Sequence, residues 1–259
     1  MLNIAIRAAR HAGDLIVRKI NKLPDLKVEV KAQNDYVSDV DRQAEALIIE
    51  DLLKSYPGHG ILAEESGVID GDGEYRWIID PLDGTTNYLH GFPHYAVLIA
   101  CEHQRRLTHA VIYDPIKQEI FAASRGAGAT LNNRRIRVSP RKSINGALLA
   151  TGFPFRHPAQ LGEFLRVFEA FFSKASDVRR AGSAALDLAY VAAGRLDGYW
   201  ESGLKAWDLA AGALIVREAG GLVTDYCGEG DFLENGEIVA ANPKIIGDML
   251  RTLESRHKA

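Results

Sequence analysis

Cysteine is almost missing from this chain: Cys101 and Cys227 are the only two in 259 residues. Without the close spacing of metal-binding pairs, they argue against a disulfide framework and against a cysteine-based zinc site, and both read as free thiols. Long apolar runs are missing too. No stretch approaches the roughly 20 residues that a membrane-crossing helix needs, and the N-terminus lacks the pattern of a secretory leader. The expected compartment is therefore the cytoplasm, with no membrane partner. Charge of one sign is also lacking, since 31 basic residues stand against 34 acidic ones for a net −3. That balance counts against nucleic acid as the main partner. The one basic concentration, Arg134-Arg135-Ile136-Arg137 followed by Arg141-Lys142, alternates with apolar residues and reads as a strand edge whose charges discourage edge-to-edge pairing. What remains is ordinary globular material, 47% hydrophobic and 25% charged, long enough to bury a sizeable core as one large domain or two small ones.

Periodicity divides that material into two halves, 1–140 and 141–259, with no low-complexity linker between them. Leu2, Ile6, Ala9, Gly13, Ile16 and Ile20 mark one face of an N-terminal helix. A second helix, with Ala44, Leu47, Ile48 and Leu52 inward, runs from Val40 to Tyr56 and ends at Pro57-Gly58. Strands are expected at Ile61–Glu64, Arg76–Asp80, Ala96–Glu102, Leu107–Tyr113, Glu119–Ser124 and Ile136–Val138, the later ones as antiparallel hairpins. The second half alternates. Strands at Leu148–Thr151, Val178–Arg180, Gly198–Glu201, Leu222–Thr224 and Ile238–Ala241 are interleaved with three helices. The first carries Leu161, Phe164, Leu165, Phe168 and Phe171, whose phenylalanines read as core; the second runs from Ser183 to Gly194, and the third from Trp207 to Ala219. Asn242-Pro243 reads as the N-cap and first residue of a terminal helix. Strands followed by alternating units imply α/β layers rather than a doubly wound sheet.

The most informative segment is Trp77-Ile-Ile-Asp80-Pro-Leu-Asp83-Gly-Thr85-Thr-Asn87. An apolar strand runs into Asp80, Pro81 stops it, and Asp83 follows. Gly84, Thr85, Thr86 and Asn87 then supply small residues able to point backbone N–H groups at an anion. Carboxylates and donors at a strand end are what a hard divalent cation beside a phosphate requires. Two further acidic segments can complete such a site. Glu64-Glu65 ends a short apolar strand, where alternation would send the two acids to opposite sides. Asp208 opens a small-residue helix, where it could equally be a helix-dipole acid. Five carboxylates, Glu64, Glu65, Asp80, Asp83 and Asp208, are too many for one site without cations.

Taken in order and at these spacings, Glu64-Glu65, Asp80-Pro-Leu-Asp83-Gly-Thr85-Thr and Trp207-Asp208-Leu-Ala-Ala resemble the inositol monophosphatase family from about Lys31 to Asn242. Val178-Arg-Arg-Ala-Gly-Ser-Ala-Ala-Leu-Asp-Leu-Ala-Tyr-Val-Ala-Ala-Gly194 and Gly198-Tyr-Trp-Glu201 look like its bacterial SuhB-type members. The resemblance implies an αβαβα sandwich of the inositol monophosphatase and fructose-1,6-bisphosphatase type, with an antiparallel sheet in the first half and a smaller mixed sheet in the second. It implies two Mg²⁺ ions. Glu64, Asp80 and the Leu82 carbonyl would hold one, and Asp80, Asp83 and Asp208 the other. The segment beginning at Lys31 and Asp35 resembles a mobile loop that helps to hold a third. It also implies Glu65 as a supporting acid, Thr85 oriented by Asp41 as the group that positions water, Gly84 and Thr85 on the phosphate, and Gly182, Ala184, Glu201 and Asp208 on the alcohol. Arg179 is a candidate for the substrate rim, with a surface arginine beside a strand as the competing reading. For Asp41 the local sequence offers an alternative, because Ser38 could cap the second helix with Asp41 as its capping-box acid.

Function follows from the same resemblance: hydrolysis of a phosphorylated polyol, inositol 1-phosphate, by a lithium-sensitive homodimer. Relatives also cleave nucleotide 3′-phosphates and fructose 1,6-bisphosphate, which the metal motif does not separate. Some bacterial members are associated with ribosomal-RNA transcription antitermination through RNA polymerase, a role compatible with an intact catalytic site. The Asp-x-Asp-Gly-Thr signature of dehalogenase-type phosphatases is a poorer match, because Asp80 and Asp83 stand three apart with Pro81 between them.

Overall fold

The structure, a computed structural model, describes residues 1–20, 28–32, 35–154 and 157–254, with the backbone alone at 30–32 and 35–36. Helix α1 (Leu2–Lys19) buries Ile16 together with Ala5, Ala8, Ala9, Ala12 and Gly13, five small residues that let it lie close on its neighbours. A two-stranded antiparallel ribbon, β1 (Val28–Ala32) and β2 (Asp35–Ser38), leads into α2 (Asp39–Ser55). There follow β3 (Gly60–Ala63), β4 (Gly67–Ile69), β5 (Tyr75–Asp83), the short α3 (Thr85–Leu89), and then β6 (Ala96–His103), β7 (Arg106–Asp114), β8 (Glu119–Ser124), β9 (Gly128–Leu131) and β10 (Arg134–Arg135). The strands form one eight-stranded sheet in the order β10-β9-β8-β7-β6-β5-β3-β4.

After it come β11 (Leu148–Thr151), α4 (Leu161–Phe172), β12 (Asp177–Arg179), α5 (Ala184–Ala192), β13 (Gly198–Glu201), α6 (Ala206–Glu218), β14 (Leu222–Thr224), α7 (Phe232–Asn235), β15 (Ile238–Ala241) and α8 (Ile246–Leu253). Their strands make a five-stranded mixed sheet in the order β12-β11-β13-β15-β14.

Residue parity decides which layer each strand residue meets, because neighbours along a strand point to opposite faces. Trp77, Ile79, Val97, Ile99, Cys101 and Val111 pack with α1 and α2. Ile78, Leu98, Ala100, Ala110 and Ile112 point the other way, into a cluster with α5 and α6. That same cluster takes Ala150, Tyr199 and Ala240 from the five-stranded sheet, while Leu149, Trp200, Val239 and Ala241 face α4 and α8. The layers are therefore α, β, α, β, α, and the central pair α5 and α6 belongs to both sheets. The small-residue faces of that pair, including Ala185, Ala189, Ala210 and Ala213 at 0% exposure, allow two sheets to approach from opposite sides.

Five local expectations are corrected. The first sheet is not purely antiparallel, since β3 runs parallel to β5. Pro81 does not stop its strand: pairing with β6 is interrupted between Asp80 and Asp83 and resumes at Asp83 opposite Ala96, so the missing N–H of proline is absorbed by an irregularity in the ladder. Ile136–Val138 is not a strand; the edge is the two-residue β10 one step earlier. The terminal helix starts at Ile246, and Asn242 instead accepts from the N–H groups of Lys244 (2.7 Å) and Ile245 (3.3 Å) in the turn before it. Helix α4 also departs from a core helix, for only Val167 and Phe171 are buried, while Leu161, Leu165 and Phe172 are exposed.

His94, ahead of β6, is nearly buried at 9% exposure, and its Nε2 has no hydrogen-bond partner. Burial, assisted by the Lys117 ammonium, holds its pKa down to about 4. The unfolded chain would bind this proton near pH 6.5. Stability is therefore complete above that pH and is lost as pH falls toward 4, by up to about 3 kcal/mol from this ring alone. Replacing His94 with Phe should shrink the drop in urea midpoint between pH 7.5 and pH 4.5; an unchanged drop would assign the acid sensitivity to other groups.

Candidate active site

The strand ends of β3 and β5, the start of α3 and the N-terminal turns of α5 and α6 meet around a cavity of about 420 Å³. Glu64, Asp80, Leu82, Asp83 and Asp208 all line it, as do Gly84, Thr85, Gly182, Ala184 and Glu201. Asp80 is the deepest acid at 1% exposure, and its Oδ1 accepts from the Leu82 N–H at 2.9 Å. Burial, followed by the charges of Glu64, Asp83 and Asp208, pushes its carboxyl well above the usual range. Asp83 reaches across the layers, where its Oδ2 accepts from the Ser183 hydroxyl (2.6 Å) and the Ala185 N–H (2.9 Å), fixing the first turn of α5. Asp208 lines the cavity, and its Oδ2 also accepts from the Lys205 N–H at 2.7 Å as a capping acid of α6.

Asp41 makes the hydrogen bonds that each of its competing readings requires, one set on each oxygen. Its Oδ2 accepts from the N–H (2.9 Å) and hydroxyl (2.5 Å) of Ser38, closing the capping box of α2. Its Oδ1 accepts from the Thr85 hydroxyl at 3.2 Å. The same hydroxyl lies 3.0 Å from the Leu82 carbonyl. Burial raises the Asp41 pKa, and the bonds from Ser38 and Thr85 pull it back. Gly84 precedes Thr85 with φ +96°, and a Cβ there would stand 3.0 Å from the His94 carbonyl and 3.3 Å from that of Gly182. Only glycine fits this left-handed position. Asn87 ties the same region together, its Nδ2 lying 2.7 Å from the His94 carbonyl and 3.0 Å from that of Ala181.

Glu201 lines the same cavity. The buried Tyr199 hydroxyl donates to its Oε2, and burial pushes its carboxyl up to about 7, partly offset by that bond and by Arg180. Gly152 backs it so closely that a Cβ would stand 1.9 Å from Oε1. With Tyr199 fixing the other oxygen, Glu201 cannot simply swing aside. Gly152→Ala should therefore raise KM about tenfold while changing kcat much less, as expected for lost uniform binding. Steady-state kinetics would check it, and an unchanged KM would remove Glu201 from substrate contact.

Other residues fall differently. Arg179 does not reach the cavity; it is exposed and paired with Asp177. Its neighbour Arg180 lines the cavity instead, its guanidinium 5.2 Å from the Phe153 ring centre. Glu64 and Glu65 are not on opposite faces of a strand but in the turn after β3. Glu65 does not line the cavity, and its N–H donates to Glu45 at 2.8 Å. Lys31 and Asp35 lie in β1 and β2 rather than in a loop; their side chains fall outside the described residues. Two carboxylates at or beside the cavity escaped sequence reading. Glu45, 3% exposed, accepts from the N–H groups of Glu65 and Ser66, both at 2.8 Å, and so holds the Glu64 turn. Its signal was an acid one turn beyond Asp41 on the inward face of α2. Asp187, 2% exposed, lines the cavity from α5, and its signal was an acid among Ala and Leu in a core helix.

A layered α/β sandwich with an acid-lined cavity at strand and helix ends is the architecture of the sugar-phosphatase class. A family model, the inositol monophosphatase family, matches residues 1–258, and the chain belongs to that family. It is 56% identical over 259 residues to the "Nus factor SuhB" of Pseudomonas aeruginosa, spanning 98% of this chain and 96% of the relative. The crystal structure of the extragenic suppressor protein suhB from Bartonella henselae superposes with a TM-score of 0.95 at 47% identity, covering 97% of each chain. An inositol monophosphatase from Anabaena follows with a TM-score of 0.86 at 39% identity, covering 98% of this chain and 94% of that one. No helix among the described residues is long and apolar enough to cross a membrane.

Proposed function

We propose that this chain is a Mg²⁺-dependent phosphomonoester hydrolase, acting in the cytoplasm, that releases phosphate from inositol 1-phosphate. The observation that carries the reading is the convergence of Glu64, Asp80, Asp83 and Asp208 on one cavity around a buried Asp80. Among the described residues, no group of three or more His, Cys, Asp or Glu side chains is arranged to hold a metal ion as it stands. The donor chemistry nevertheless fits magnesium, being all oxygen, and the burial and then the mutual repulsion that lift the Asp80 pKa are what a cation would relieve. Glu64, Asp80 and the Leu82 carbonyl would hold one ion and Asp80, Asp83 and Asp208 a second, with a further one near the Lys31–Asp35 segment. Bound there, Mg²⁺ would supply Lewis acidity toward water and toward the phosphate oxygens.

The residues of this chain do the rest. Thr85, with its proton directed to Asp41, presents an oxygen lone pair that accepts a hydrogen bond from the attacking water. Backbone N–H groups of Gly84 and Thr85 at the start of α3 hold the phosphate. Gly182, Ala184 and Glu201 meet the alcohol hydroxyls. Water attacks phosphorus directly as the bond from phosphorus to the inositol oxygen breaks, and that oxygen takes up a proton to leave as the free alcohol. No aspartyl phosphate therefore forms at Asp80, and a trapped one in rapid-quench mass spectrometry would overturn the mechanism. The deciding assay sets inositol 1-phosphate beside adenosine 3′,5′-bisphosphate and fructose 1,6-bisphosphate, with Mg²⁺ or EDTA and with added lithium. Turnover that prefers the inositol ester, requires Mg²⁺ and falls with lithium is expected. Preference for either alternative would reassign the substrate, and activity in EDTA would remove the metal.

A second reading is favoured by the relatives that carry the name Nus factor. We infer a role in ribosomal-RNA transcription antitermination alongside catalysis, and a homodimeric state. Loss of ribosomal-RNA synthesis in a deletion strain, unrescued by an unrelated inositol phosphatase, would support the first; a monomeric sedimentation coefficient would exclude the second.

A further inference from the structure

Asp187 is a carboxylate to which nothing above gives a role. It lies in the first turn of α5, where Ser183 is the N-cap, among the buried apolar residues Ala184, Ala185, Leu186, Leu188 and Ala189. It is only 2% exposed, yet it lines the cavity. An acid so placed is costly to bury unless something polar meets it. Its strongest charged neighbour is Glu201, with Asp83 after it, and Arg180 is the cation that acts on both Asp187 and Glu201. Glu201 itself is held by Tyr199 and backed by Gly152. Asp83 meets α5 one step earlier, at Ser183 and Ala185, so Asp187 stands deeper along the helix than the contact made by the metal-site acids.

One carboxylate can accept from one hydroxyl, or from two that lie together. Two carboxyl groups lining one cavity can accept from successive hydroxyls of a ring. We propose that Asp187 is a specificity-determining residue which, beside Glu201, receives a second hydroxyl of a cyclic polyol phosphate, so that the cavity selects alcohols with adjacent hydroxyls over simple ones. This inference rests on the phosphatase reading above. The selectivity follows because a site built to hydrogen-bond a hydroxyl leaves buried polar groups unpaired when the hydroxyl is missing.

The test compares inositol 1-phosphate with cyclohexyl phosphate, which has the ring and the ester but no hydroxyls, in the wild type, Asp187→Ala and Asp187→Asn, each with Mg²⁺ titrated. Asp187→Ala should raise KM for inositol 1-phosphate about tenfold or more with kcat within about threefold, and should leave KM for cyclohexyl phosphate nearly unmoved. Asp187→Asn keeps an acceptor oxygen and should recover most of the loss, with KM about threefold above wild type for the inositol ester alone. Should the alanine variant fail to fold, that threefold selectivity in the asparagine variant decides. Equal losses on both substrates, a KM for inositol 1-phosphate unchanged in both variants, or a shifted Mg²⁺ half-saturation would each overturn the assignment. A wild type that hydrolyses both esters equally well overturns the specificity role while leaving the phosphatase; one that hydrolyses neither removes the phosphatase reading itself.

Discussion

Asp83→Asn and Asp208→Asn should each lower Mg²⁺-dependent turnover of inositol 1-phosphate about a thousandfold, with circular dichroism unchanged. Each removes one negative charge from the proposed second cation while keeping nearly the same shape, and the loss of charge stabilisation in a partly closed site is of this order. The two variants should part company in stability. In Asp208→Asn the new amide oxygen could still accept from the Lys205 N–H, and the substitution takes charge out of a cluster that already repels Asp80. Without Mg²⁺, Asp208→Asn should melt at or above the wild-type temperature. Asp83→Asn weakens charge-assisted bonds to Ser183 and to the first turn of α5, and should cost about 1 kcal/mol. Near-normal turnover in both variants would sink the two-metal assignment, whatever the melting curves show.

Thr85→Ala and Asp41→Asn should each lower kcat about a hundredfold or more, the range for loss of a group that positions or activates the nucleophile. The double variant should be little worse than either single one, because the two act as one unit through the Oδ1 bond. The structure separates the pair by a second observable. Asp41 also closes the capping box of α2 through Oδ2, so Asp41→Asn should lose about 1 kcal/mol of stability, whereas Thr85→Ala should leave the cap intact. Turnover within a few-fold of wild type for Asp41→Asn, together with a lowered melting temperature, would confine Asp41 to capping.

The helices and most strands were legible because their signals are local. The apolar stripe of α1, Ser38 ahead of α2, and Gly194 at φ +70° after α5 act within one or two turns of chain. Glu64, Asp80, Asp83 and Asp208 were legible for a related reason: acids and small residues at element ends are rare enough in combination to stand out. The failures share a cause as well. Pro81 reads as a strand stop from its missing N–H, but the pairing of β5 with β6 on both sides carries the strand through. Arg179 and Arg180 are adjacent in sequence, and only the packing of β12 and the loop after it decides which one turns inward.

By itself, then, the sequence determined the elements, the acidic character of the site and the family, because periodicity, capping and motif spacing act over a few residues. The tertiary structure decided what those acids do to one another. Asp41 meets Thr85, Glu45 pins the Glu64 turn and Asp83 caps a helix 100 residues away. The first two exist only once α2 packs on the first sheet and the third only once α5 comes up against the end of β5, and burial in those layers changes a carboxylate's pKa in a way that no local pattern encodes.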